Sequence, residues 1–323
     1  MRFTPQELRE QTRGAQAFTC TPFSGTLELD LKRFRSHLGY LAGGEWPKPA
    51  GFFVCCGTGE LWSLHPSEHL RLVEAAVDEV GRSVPVVAGI GYGTAMAVEL
   101  AQESERRGAE GVLVFPPYLV RSTQEGLYRH YGKIAQSVRC AVMVYNRDNA
   151  IFGPETLRRL AAMPNVVGLK DGHGDMQLLS SFQSVTEGTV SFVNGMPSAE
   201  THQERYLAAG VRSYSPGVLD FMPELSWVFD EALEQGRSDR LRLLMDGFYA
   251  PYTELRGRAP GYGVAMVKSG LRLRGMPAGG VRPPLVDPKP DEEQELGELV
   301  ARGLELARRC AAGASAPREG GRS

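Results

Sequence analysis

Eight short apolar runs, separated by charged stretches of helical period, constrain the fold of this chain more than any other feature. The runs are GAQAFTCTPF (14–23), GFFVCC (51–56), VPVVAGI (84–90), GVLVF (111–115), AVMVY (141–145), VVGLK (166–170), VSFVN (190–194) and VRSYS (211–215). Between them, SEHLRLVEAAVDEVG and AMAVELAQESERRGA carry apolar residues at helical spacing and close near a glycine, the pattern of amphipathic helices. Strands alternating with helices predict parallel βαβ units. Eight units in a row predict an α/β fold of the (β/α)₈ TIM barrel type. An open doubly wound sheet would carry a phosphate loop after its first strand. TPFSG is not such a loop, and GIGYG (89–93) lacks the full dinucleotide spacing, so it reads as a tight strand-to-helix turn.

After Ser215 the alternation stops. Residues 223–275 read as helices, and GMPAGGVRPPLVDPKP (275–290) reads as a loop because its prolines forbid regular structure. DEEQELGELVARGLELARRCA then forms a last amphipathic helix. The expected organisation is a barrel over residues 1–222, additional C-terminal helices over 223–310 packed on it, and a disordered tail over 311–323.

The chain has 323 residues, 42% hydrophobic and 23% charged, the balance of a soluble globular protein. Its formal charge of -2 gives no electrostatic case for nucleic acid or an anionic membrane. No apolar run approaches the ~20 residues of a membrane helix, and the N-terminus MRFTPQELREQTRG has no apolar signal core. A cytoplasmic protein is expected. Five cysteines at spacings that match no zinc motif predict reduced thiols. His65 and His69 stand four apart, but Pro66 suits the first helical position and puts His65 at the cap. No metal site is expected.

In a parallel barrel the reactive groups sit at the C-terminal ends of the strands. Two ends are unusual: the fifth finishes on Tyr145 and the sixth on Lys170. Period-two alternation puts Ala141, Met143 and Tyr145 on one face, and Val166, Gly168 and Lys170 on one face. With those faces inward, tyrosine and lysine lie level on adjacent strands, and Gly168 leaves room beneath the lysine. A desolvated lysine has a lowered pKa, and its neutral amine can attack a ketone to form an imine. Singly, each residue is as well explained by a strand-capping lysine and a core tyrosine. As a pair on neighbouring strand ends they point to catalysis.

Three further features could bind substrate. Gly57, Thr58 and Gly59, in GTGE after the second strand, let backbone N–H groups and a hydroxyl converge on an anion, although an ordinary turn has the same wording. YNRDN sets Asn146 and Arg147 behind the tyrosine; a guanidinium fork suits a carboxylate, or it pairs with Asp148. Ser215 ends the eighth run and could bond a carboxylate or hydroxyl.

TPF, GTGE, TQEGLY (123–128), YN, GLKD and VRPPL occur in one order along the chain. Over roughly residues 14–287 the sequence resembles the dihydrodipicolinate synthase / N-acetylneuraminate lyase superfamily of Schiff-base barrels. GYGT, PPYL, YNRDN and LKDGHGD resemble its branch of decarboxylating dehydratases for keto-deoxy sugar diacids. That resemblance implies an imine on Lys170, proton shuttling by Tyr145, and a substrate carboxylate held by Gly57, Thr58 and Gly59. Asn146, Arg147 and Ser215 would hold the rest of the substrate. It implies loss of water and CO₂ from 5-dehydro-4-deoxy-D-glucarate to give 2,5-dioxopentanoate, with no metal or organic cofactor, in a homo-oligomer (tetramer or dimer). The chain departs from the synthase branch in carrying Leu119 where a second tyrosine is usual, and its arginine directly after YN. An aldolase on another 2-keto-3-deoxy sugar acid shares every step up to the imine. A non-catalytic sugar-acid binding barrel would need neither Lys170 nor Tyr145.

Overall fold

Each apolar run contributes a strand in the computed structural model, which describes residues 2–81 and 83–314. The strands are β1 (Ala17–Phe18), β2 (Phe52–Val54), β3 (Val86–Ile90), β4 (Gly111–Val114), β5 (Ala141–Asn146), β6 (Val166–Asp171), β7 (Ser191–Asn194) and β8 (Ser213–Tyr214). They pair in chain order and all in parallel. A parallel bridge between Ala15 and Tyr214 joins the last strand to the segment entering the first. There the Gln16 N–H donates to the Tyr214 carbonyl at 3.0 Å, and the Tyr214 N–H to the Gly14 carbonyl at 3.2 Å. The fold is the expected (β/α)₈ barrel.

The helices between strands are α2 (Leu31–Gly43), α3 (Pro66–Val80), α4 (Thr94–Arg106), α5 (Gln124–Ala135), α6 (Pro154–Ala161), α7 (Met176–Thr186) and α8 (Gln203–Ala208). Alternation along the strands divides the core in two. Val54, Val86, Ala88, Val112, Val142 and Val144 pack outward among the helices. Phe18, Phe53, Val87, Leu113, Met143, Tyr145 and Val193 fill the lumen. Full burial of side chains this size stabilises by roughly 1.5–3 kcal/mol each, so the lumen is a packed core and only its rim is free for chemistry.

Sequence and structure differ in four instructive places. First, β1 is two residues long although its apolar run is ten. Beyond it the backbone leaves the ladder: Cys20 N–H donates to the Asp220 carboxylate and Phe23 N–H to the Ala278 carbonyl. Second, the pairing of β5 with β6 shifts register between Val142 and Met143. That slip turns Val166 outward and sends Val167 into the lumen, so Val166 does not share the face of Gly168 and Lys170. Third, Gly168 leaves no void, because Met143 fills the space: a Cβ there would lie 2.8 Å from its Cγ and Cε. Fourth, a helix unforeseen from composition, α1 (Pro5–Gln11), precedes the barrel. A Thr4–Glu7 capping box starts it, and its fully buried Leu8 joins Phe53, Val87 and Ala141 in the inner cluster.

Beyond the barrel lie α9 (Pro223–Glu234), α10 (Ser238–Leu244), a π-helical turn (Met245–Tyr249), α11 (Ala250–Gly257), α12 (Tyr262–Leu273) and α13 (Pro290–Ala314). Their apolar faces build a second cluster that includes Cys20, Ala199 and Tyr214 of the barrel. The last helix runs to Ala314, four residues into the segment read as a tail; residues 315–323 lie outside the described residues. Among the described residues, no helix is long and apolar enough to cross a membrane.

Candidate active site

Tyr145 and Lys170 are register partners on β5 and β6. Each strand runs one residue further than its sequence run, to Asn146 and Asp171, which pair next. Tyr145 and Lys170 are 3% and 6% exposed, so both side chains are withdrawn from bulk water. The Lys170 Nζ rests 3.5 Å from the centroid of the Phe18 ring and 4.7 Å from that of Tyr145. Phe18 is itself stacked on Phe53, with centroids 4.6 Å apart. An aromatic face favours an ammonium modestly, but burial opposes charge more strongly. The Lys170 amine is drawn down to about 7, chiefly by burial, and the Arg147 guanidinium works in the same direction. Cys56 stays a thiol, pushed up to about 12 by burial.

The Tyr145 hydroxyl donates to the Gly195 carbonyl at 3.0 Å and accepts from the Arg147 Nη1 at 3.2 Å. Burial raises its pKa while the Arg147 charge lowers it, so at neutral pH the phenol holds its proton and can give it up to a stronger base. Phe115 packs edge-on to the Tyr145 ring at 5.3 Å. A Cβ on Gly57 would lie 3.9 Å from the same Phe115 ring, which brings the GTGE turn to this rim.

That turn is built for close approach. A Cβ on Gly59 would stand 3.1 Å from the Cys55 backbone. The Glu60 and Leu61 amides close it onto the carbonyls of Gly57 and Cys56. The Thr21 hydroxyl donates to the Gly59 carbonyl at 2.7 Å. Among the described residues, the amides of Thr58 and Gly59 have no protein acceptor, and Thr58 is half-buried. Unpaired donors in a half-buried turn are what an anion requires.

The remaining three candidates divide. Arg147 is half-buried, its side chain 36% exposed, with its Nε on Asp148 at 2.7 Å and its Nη1 on the tyrosine. Ser215 lies just after β8, its hydroxyl donating to the Asn194 carbonyl at 3.2 Å. Asn146 does not reach the rim. Alternation turns it away from Tyr145, and it is fully buried. Its amide donates to Asp171 at 2.9 Å and its carbonyl accepts the Phe152 N–H at 2.9 Å. Asp171 also takes the His173 N–H and the Tyr206 hydroxyl, the latter at 2.5 Å. Asn146 thus ties together the loops that follow β5 and β6.

Residues the sequence did not single out complete the site. A Cβ on Gly195 would stand 2.6 Å from Lys170 Cγ and Cε, and one on Gly172 would stand 2.9 Å from the Tyr145 ring. Both glycines are needed for side chains on other strands, and the only signal was a glycine directly after a strand. The glycines of GIGYG do packing work, as a turn should: a Cβ on Gly89 would meet the Cys55 carbonyl at 2.3 Å. The two spaced histidines part company. His65 caps α3, while His69 is buried against the Gly89 carbonyl and held down to about 4 by burial. All five cysteines are free and buried. Cys20, His37 and Asp220 form a buried group of potential metal ligands, but Asp220 already accepts from the His37 ring at 2.8 Å and the Cys20 N–H at 2.9 Å. Volume alone does not find the chemistry: a 690 Å³ cleft lined by Tyr40, Trp46, Trp227 and Arg274 contains no strand-end residue.

A closed parallel barrel with a desolvated amine and a phenol side by side at the strand ends is the architecture of a barrel enzyme. The chain belongs to the dihydrodipicolinate synthetase family, whose family model matches residues 11–302. It is 44% identical over 300 residues to a probable 5-dehydro-4-deoxyglucarate dehydratase 1 of Streptomyces coelicolor, covering 91% of this chain and 93% of that protein. It is 40% identical over 299 residues to a probable 5-dehydro-4-deoxyglucarate dehydratase of Chelativorans sp., covering 92% and 98%. Among solved structures, dihydrodipicolinate synthase from Oceanobacillus iheyensis superposes with a TM-score of 0.84 at 24% identity, over 92% of this chain and 98% of that one.

Proposed function

We propose that this protein is a decarboxylating dehydratase that converts 5-dehydro-4-deoxy-D-glucarate to 2,5-dioxopentanoate, CO₂ and water through an imine on Lys170. The observation that carries this reading is the buried Lys170 amine, held near neutrality beside Tyr145. The names of its relatives at 40–44% identity support the substrate.

The chemistry follows from the geometry. The neutral Lys170 amine adds to the ketone beside a carboxylate and releases water, giving an imine. The protonated imine withdraws electrons, so the adjacent methylene loses a proton. Its electron pair expels the β-hydroxyl, which leaves as water with a proton relayed through Tyr145. The resulting conjugated imine accepts the pair from the C–C bond to the far carboxylate, which departs as CO₂. Protonation of the dienamine, tautomerisation of the terminal enol to the aldehyde and hydrolysis of the imine return Lys170 and the product. One substrate gives one CO₂, one net water and one 2,5-dioxopentanoate, and the imine is the only electron sink required.

In this mechanism the Thr58 and Gly59 amides, with Gly57 shaping the turn, hold the carboxylate beside the ketone. Arg147 offers its fork to the far carboxylate and Ser215 its hydroxyl to the chain between. Asn146 acts on the loops and not on the substrate. The protein is cytoplasmic and works as a homo-oligomer, a dimer or tetramer. The exposed Tyr118, Leu119 and Val120 after β4 suit an interface between copies.

The test is product analysis with purified protein and the keto-deoxy diacid. Equimolar CO₂ and 2,5-dioxopentanoate are expected. Pyruvate with an aldehyde fragment would make it an aldolase, and binding without turnover would make it a sugar-acid binding barrel.

A further inference from the structure

Glu60, the last residue of GTGE, is fully buried and forms an ion pair with Lys268 of α12, Oε1 to Nζ 2.6 Å, in which neither side chain is exposed. A buried ion pair adds little net stability compared with apolar groups of the same volume, because desolvating both charges cancels most of the attraction. Its value here lies in geometry. The other Glu60 oxygen, Oε2, accepts the Arg282 N–H at 2.9 Å. Lys268 also donates to the Gly280 carbonyl at 2.8 Å and lies 4.1 Å from the centroid of the Phe23 ring. Arg282 sits 4.1 Å from the same ring and forks onto Glu68 with two contacts of 2.7 Å. Glu60 itself is in the left-handed region, φ 55°, which a residue bearing a Cβ adopts only under outside constraint. Its N–H closes the turn on the Gly57 carbonyl at 3.1 Å. The turn that leaves the Thr58 and Gly59 amides unpaired is therefore bolted, through one buried charge, to the C-terminal helices and to the VRPPL segment.

We propose that Lys268 is a positioning residue: through Glu60 it sets the Gly57–Gly59 turn at the spacing that receives the carboxylate beside the substrate ketone. This rests on the imine reading of Lys170. It gives the C-terminal helices a part in substrate recognition although none of their residues need touch the substrate.

The experiment is reductive trapping on Lys170 with borohydride, titrated separately with pyruvate and with acetone, which has the carbonyl and no carboxylate. In Lys268→Met the half-saturating pyruvate concentration should rise on the order of tenfold to a hundredfold, while the acetone dependence stays at its wild-type value. Lys268→Arg, which keeps the charge, should recover part of the loss. If Lys268→Met does not fold, the double variant Glu60→Gln/Lys268→Met removes both charges and should show the same pyruvate-selective loss in a folded protein. Equal shifts for pyruvate and acetone, or no shift for either in a folded variant, would overturn the proposal. Absence of any Lys170 adduct in the wild type would remove the imine reading first, and that outcome is distinct from the other two.

Discussion

The side chain of Lys170 lies across Gly195: a Cβ there would come within 2.6 Å of the lysine Cγ and Cε and 3.1 Å of the Asp171 carbonyl. The aim of the Lys170 amine is therefore set by the turn after the neighbouring strand. Gly195→Ala should push Lys170 off its bed on Phe18 and lower kcat by on the order of a hundredfold, with the protein still folded by circular dichroism. Wild-type turnover in Gly195→Ala would show that the lysine has room to spare.

Arg147 presents a sharper choice. It touches the Tyr145 hydroxyl and Asp148, and it is proposed to take the far carboxylate. Arg147→Lys keeps the charge and loses the fork. A charge-assisted hydrogen bond is worth about 1.5–3 kcal/mol, so KM for the dicarboxylate should rise roughly tenfold or more. Half-saturation by pyruvate, which has no far carboxylate, should hardly move. Equal losses on both ligands would confine Arg147 to orienting Tyr145.

Asn146 should behave differently from either. Asn146→Ala leaves Asp171 and the Phe152 N–H short of a buried partner, at a cost of about 1–3 kcal/mol. Thermal unfolding should shift down clearly, while KM changes by less than the stability loss would suggest. A large KM change at unaltered Tm would return Asn146 to the substrate.

The pH dependence follows from the lysine. Only the neutral amine adds to a ketone, and burial draws Lys170 from 10.5 to about 7. The rate of imine trapping should rise with pH, reach half its maximum near pH 7 and then level off. Stability carries the matching sign. Between about pH 7 and 10.5 the unfolded chain binds more protons at this site, so its destabilising effect is full below pH 7 and fades as pH rises. Lys170→Met should flatten that slope in chemical denaturation series.

Much of this was legible in the sequence because it is periodic. Alternation and strand ends placed Tyr145 and Lys170 level on adjacent strands, as their pairing shows. The apolar runs stop one residue short of each strand's end, at Tyr145 and Lys170, whereas the strands extend to Asn146 and Asp171, and the same alternation then turns Asn146 away from Tyr145. The slip that turns Val166 outward is a property of two strands together, and no single run encodes it. Gly195 under Lys170, and Lys268 against Glu60, join residues far apart in the chain, so spacing carries no trace of them. The helix before the barrel is written in local signals and not in apolar period: Thr4, Pro5 and Glu7 spell a capping box.

The most direct measurement is borohydride reduction in the presence of the keto acid, followed by peptide mass analysis. A covalent adduct of one reduced keto acid is expected on Lys170 alone, lost together with turnover in Lys170→Ala. An adduct on a different lysine, or turnover that survives Lys170→Ala, would contradict the imine at the end of β6.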